Sequence, residues 1–248
     1  MNQMDSDGIL VPDNRWINVS GCGVSGDISN EIILTFDIDW ADDAVLSDCI
    51  DIVDQAGAPA TWFITHETPL LDRLRENERY ELGIHPNFIP LLEGESIEVE
   101  KVIDELLEVV PEAKCIRSHS LIQSSRLMDL FQGKGLLFDC NHFIPEQSGI
   151  IVKPWKLWNG VVKVPHIWED DAACIYETNT PVADLIKRLG LKVFDFHPIH
   201  VFLNTEDLGR YERTRKLHVK AEELLKHRFE GIGTRSHLIK LLEFFEHV

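Results

Sequence analysis

The stretch LTFDIDWADD, residues 34–43, opens on an apolar β-rich run, EIILTFD from residue 31, and ends in a crowd of acids. Residues two apart on an extended chain project to the same side, so Asp37 and Asp39 share one face. Two carboxylates at that range stay ionised only beside a cation, either a divalent metal or a guanidinium. Asp42 and Asp43 begin something else. In DDAVLSDCIDIVDQAG, Val45, Cys49, Ile52 and Val53 recur at helical spacing and Gly57 closes the segment, so one of the two acids is expected to cap a helix.

Outward from this strand and helix, the pattern repeats. ATWFITH, YELGIH, CIRSHS, GLLFDCNHF, GVVKVPHIW and LKVFDFHPIHVFL are strand candidates separated by helical segments. That βαβα alternation implies a parallel sheet or barrel. The spacing predicts a short helix over 69–76. A second begins after an N-cap at Ser96, with Val99, Val102, Ile103, Leu106, Leu107 and Val110 as its buried stripe. Helices over 208–228 and 234–247 close the chain. Residues 1–30 read as an irregular lead-in or small hairpin, and 31–248 as one α/β barrel domain.

Composition narrows the function. A formal net charge of -18 excludes phosphate-backbone binding, so no nucleic acid partner is expected. The five scattered cysteines suggest neither a zinc knuckle nor a disulfide framework, and they fit a reducing compartment. The first thirty residues lack a signal-peptide pattern, and no apolar run reaches a membrane span of about 18 residues. A cytoplasmic location is expected; the oligomeric state is not set by the sequence.

Strand after strand ends in a group that can bind metal or move a proton: Asp37 and Asp39, His66, His85, Arg117 and His119, Asp139 and His142, His166, then His197 and His200. In an α/β barrel those ends converge on one face, where active sites are built.

TFDID, GAPATWFIT and YELGIH resemble the opening motifs of the polysaccharide deacetylase (NodB-homology) family. IRSHS, DCNHF and FDFHPIH resemble its later motifs, in the same order over about residues 31–200. Within the family the chain looks closest to the WbmS-like branch found with surface-polysaccharide (O-antigen) genes. The resemblance implies a distorted (β/α)7-type barrel and a metal-dependent deacetylase. It makes Asp37 the general base, Arg117 the group that orients it, and His197 the acid; Asp39 and His85 become ligands of a divalent metal, with zinc the expected ion. Asp139 with Phe143 would support the His197 side of the pocket.

One departure stands out: the family's second ligand histidine falls on Ile89. His119 is the leading replacement, with His66, Asn87 and His200 as alternatives. Trp40, Asn87, Asp139 and His200 are the expected substrate contacts, Trp40 as a stacking platform for a sugar ring. The substrate implied is an N-acylated sugar precursor, small or lipid-linked. A C–N hydrolase of a non-sugar amide or cyclic imide, and a sugar-binding homologue with impaired catalysis, remain alternatives. A glycosidase pair formed by Asp37 and Asp39 is disfavoured, because residues two apart on one strand do not flank a scissile bond.

Overall fold

The computed structural model describes residues 3–4, 10–11, 13–25, 27–94, 96, 98–176 and 180–245. Its centre is β1 (Glu31–Asp37), buried at every position. A strand covered on both faces reads as a continuous apolar run, and EIILTF does so for that reason. The others are β2 (Ala60–Ile64), β3 (Tyr80–Ile84), β4 (Cys115–Ile116), β5 (Phe138–Asp139), β6 (Val162–Lys163), β7 (Trp168–Glu169) and β8 (Lys192–Phe196).

Parallel pairing runs β7-β8-β1-β2-β3-β4-β5-β6. β6 and β7 lie on one stretch of chain around Pro165, so the first and last strands of that order are covalently joined and the curled sheet closes into seven staves. A parallel bridge between Phe143 and His166 lies along the closing seam. This is the (β/α)7-type barrel expected from the sequence. Arg15–Trp16 joins the start of β1, Trp155–Lys156 runs antiparallel to β6, and Gln3–Met4 pairs with Leu10–Val11 as a small hairpin.

The helix after β1 spans Asp43–Ala56; Asp42 caps it by accepting from the Ala44 amide at 3.0 Å, and Gly57 closes it at φ 66°. Left-handed backbone of that kind favours glycine. Its face carrying Leu46, Cys49, Ile50 and Val53 enters the main core.

Three local expectations change. The helix expected from Ser96 spans Val99–Val109, with Glu98 at its N-cap and no side-chain cap. HPIHVFL does not continue β8: Pro198 occupies a first-turn position of a helix, Pro198–Leu203, where its missing N–H costs nothing. The single helix expected over 208–228 is broken into helices Leu208–Thr214 and Ala221–Leu225 with a tighter turn at Arg215–Leu217 between them, and the last helix spans Thr234–Glu243; residues 246 and 247 of the expected last helix lie outside the described residues.

Gly83 on β3 tests the packing inside the barrel. A Cβ there would lie 2.7 Å from Cys115 Sγ and 2.8 Å from the Phe63 ring. Gly83→Ala is expected to cost about 1–3 kcal/mol through overpacking, read as a lower urea midpoint.

Candidate active site

Register decides which strand-end residues look into the barrel, because cross-strand partners share a face. Asp37 pairs with Phe63, and Phe63 with Gly83, placing all three inside with His85 two residues beyond. Ile64, Ile84, Ile116 and Asp139 form the alternate row and face outward. Asp139 is therefore apart from the mouth. Its Oδ1 pairs at 2.8 Å with Lys163, and both side chains are fully buried.

Inside, Arg117 reaches across the barrel. Its Nη1 donates to Asp37 Oδ1 at 2.9 Å and to Asp195, its guanidinium also bonds Thr35, and it stacks 4.6 Å over the Phe63 ring. Burial opposes its charge, but Asp195 and Asp37 outweigh that and hold its pKa above the usual guanidinium value. Asp37, Asp195 and His197 could together hold a cation, but Arg117 already bonds both carboxylates and supplies it.

Above that layer Asp39 gathers the imidazoles. Its Oδ1 lies 3.3 Å from His85 Nε2 and 3.2 Å from His119 Nδ1, the two ring nitrogens are 3.3 Å apart, and Oδ2 is 3.7 Å from His197 Nε2. The strand ends at Asp37, so Asp39 does not reach this position by simple alternation: it sits at φ 42° and Trp40 at φ 54°. Non-glycine residues held there store roughly 1–3 kcal/mol each, a cost common at functional sites.

Burial would raise the Asp39 pKa, but hydrogen bonds from His119 and His85 and the charge of His197 hold it well below the carboxylate range. His85 shows the converse: burial disfavours its charge, and Asp37 and Asp39 raise it. Asp39, His85 and His119 offer ligand atoms that all lie within 4.8 Å of one another. One carboxylate and two imidazoles, with His85 Nδ1 turned to Asp37 Oδ2 at 3.5 Å as an outer-shell partner, form a donor set that fits a zinc-like divalent ion.

His197 is held by a residue from another strand end. Asp170 Oδ1 lies 2.7 Å from its Nδ1, and Oδ2 accepts its backbone N–H at 2.8 Å. A carboxylate on Nδ1 fixes the proton there and leaves Nε2 toward Asp39. Burial opposes the imidazolium, but Asp170 and Asp39 raise its pKa well above the ordinary range.

The remaining expected residues scatter around this centre. Trp40 is 47% exposed and sets its edge against His119 at 5.3 Å. His200 is buried behind His197, with Nδ1 3.1 Å from Thr205 Oγ1. Asn87 accepts from the Ile89 amide at 2.9 Å, which shapes the turn before helix Ile89–Leu92. His66 contacts Thr65 Oγ1 at 2.8 Å. His142 sets its ring edge to Trp155, and Phe143 stacks on His166.

Asp170 and Asp195 were not expected in these positions. Asp195 had a signal: it precedes His197 by two in KVFDFH, as Asp37 precedes Asp39. The tie between Asp170 and His197 spans 27 residues, and local spacing does not reveal it.

The seven-stave barrel with its converging strand ends has the architecture of the NodB-like polysaccharide deacetylases. The WbmS-like polysaccharide deacetylase family matches over residues 34–215. A crystal structure from Bordetella bronchiseptica, described as a candidate polysaccharide deacetylase involved in O-antigen biosynthesis, superposes with a TM-score of 0.87 at 42% identity, over 92% of this chain and 97% of that one. The chain belongs to the WbmS-like polysaccharide deacetylase family. A candidate polysaccharide deacetylase from Mycobacterium smegmatis is 19% identical, with a TM-score of 0.45 over 90% of this chain and 94% of that one. No curated protein matches. Among the described residues, no helix is long and apolar enough to cross a membrane.

Proposed function

We propose that the protein is a metal-dependent N-deacetylase of an N-acylated sugar precursor in surface-polysaccharide biosynthesis. The observation that carries this reading is the placement of Asp37, held by Arg117, and His197, held by Asp170, around the Asp39, His85 and His119 cluster. Base, acid and metal ligands meet at one barrel mouth, and amide hydrolysis needs all three.

Asp39, His85 and His119 would hold the divalent ion, which when bound supplies Lewis acidity toward the acyl group and makes water easier to deprotonate. Asp37 accepts the proton as water attacks the acyl carbon. Arg117 fixes that carboxylate and balances its charge. His197 returns a proton from Nε2 to the nitrogen as the C–N bond breaks, giving a carboxylate and a free amine. Asp170 keeps the proton on Nδ1 and stabilises the imidazolium, a positioning role.

The expected result is acetate release from N-acetylated nucleotide or lipid-linked sugars by the zinc-loaded protein. Cleavage of a small amide or cyclic imide with no release from any sugar would replace this reading.

The pH profile tests Asp170. His197 must be protonated to act as the acid, and its raised pKa carries that form to higher pH. Asp170→Asn removes the anion that raises it, so the alkaline limb of kcat/KM is expected to move to lower pH. Activity at pH 8 then falls more than activity at pH 6. An unmoved limb would show that Asp170 does not tune the acid.

A further inference from the structure

Glu169 and His166 face the same mouth, and neither has a part in the hydrolysis above. Glu169 pairs in register with Asp195, and Asp195 with Thr35, whose hydroxyl bonds Arg117 inside the barrel. Glu169 is therefore on the inner face of β7, beside β8, the strand that His197 directly follows.

Its side chain is 15% exposed, against 4% for Asp37 and 1% for Asp195, so it is more open to a ligand than the base itself. His166, fully buried with its ring stacked at 5.0 Å on Phe143, places Nε2 3.1 Å from Glu169 Oε2 and fixes the carboxyl. Alongside, Asp195 Oδ2 is buried with no hydrogen-bond partner among the described residues, a polar demand that a ligand or its water would meet.

We propose that Glu169, positioned by His166, recognises a hydroxyl on the carbon adjacent to the amide-bearing carbon of the sugar, which makes it a specificity determinant for vicinal hydroxy-amides. The inference rests on the deacetylase reading, because His197 delivers its proton to the leaving nitrogen and so places the neighbouring sugar carbons beside β7 and β8. Burial, with Asp171 and Asp195 nearby, raises the Glu169 pKa well above the carboxylate range, and the oxygens of a carboxyl group accept from a sugar hydroxyl. A site built around a substrate hydroxyl discriminates strongly against the analogue that lacks it, because the buried polar group is left unpaired.

The test uses the zinc-loaded protein with the methyl glycoside of an N-acetylhexosamine and with its analogue carrying hydrogen in place of the hydroxyl next to the amide. Wild type is expected to prefer the hydroxylated glycoside by about 10- to 100-fold in kcat/KM. Glu169→Ala and Glu169→Leu are expected to lose that factor on the hydroxylated glycoside and to match wild type on the deoxy one, with unchanged zinc content, whereas Glu169→Gln, whose amide still hydrogen-bonds a hydroxyl, keeps part of it. Equal losses on both glycosides, or none on either, would overturn the proposal. If wild type releases acetate from neither, nor from N-acetylated nucleotide or lipid-linked sugars, the deacetylase reading itself fails, a distinct result.

Discussion

Asp37→Asn lowers turnover by about 10²- to 10⁴-fold, the range expected when a positioned general base is removed, and keeps zinc bound in protein saturated with the ion, with affinity lowered by no more than the roughly 10- to 100-fold carried by an outer-shell partner of His85. Asparagine has nearly the same shape, and its amide oxygen still accepts from Arg117, whose 2.9 Å bond to Asp37 defines the side chain. Asp195 remains to balance the buried guanidinium, so the barrel interior keeps a charge partner. What disappears is the proton acceptor. The loss should lie in kcat and kcat/KM together, because the interaction is made in the transition state. Steady-state kinetics and elemental analysis on one preparation check it. Zinc lost along with turnover would show that Asp37 is a ligand and that the base lies elsewhere.

His85→Ala and His119→Ala are each expected to lose zinc, and activity with it. Even outer-shell partners of a metal ligand cost about 10- to 100-fold in affinity, and removing a direct ligand from a three-residue set should exceed that. His119 is the informative case, because Ile89 stands where the family's second ligand histidine would be and opens helix Ile89–Leu92. His119 Nδ1 lies 3.2 Å from Asp39 Oδ1, whereas His66 is engaged with Thr65. His66→Ala should therefore keep full zinc occupancy. Full occupancy in His119→Ala would move the third ligand elsewhere.

The barrel was legible in the sequence because its signals are local. EIILTFD reads as a doubly buried strand, and the helix that follows has a capping acid and a closing glycine at the expected places. The order of motifs also survives in three dimensions, since parallel strand ends must converge.

Features set by non-local geometry were less legible. PIHVFL is apolar enough for either strand or helix, and only Pro198 at a first-turn position favours the helix. The face of Asp139 depends on its register with Ile116, which its own segment does not encode. Asp170 holds His197 from a separate strand end. Asp39 enters the site through a left-handed turn where alternation predicts extended chain.

The central claim is that Asp39, His85 and His119 form one metal centre between Asp37 and His197. Anomalous diffraction at the zinc edge, from crystals of the zinc-loaded protein, tests it most directly. The expected result is a single peak with the Asp39 oxygen and the two imidazole nitrogens at about 2.0–2.2 Å. A peak bonded to other residues, or no peak from protein saturated with zinc, would contradict it.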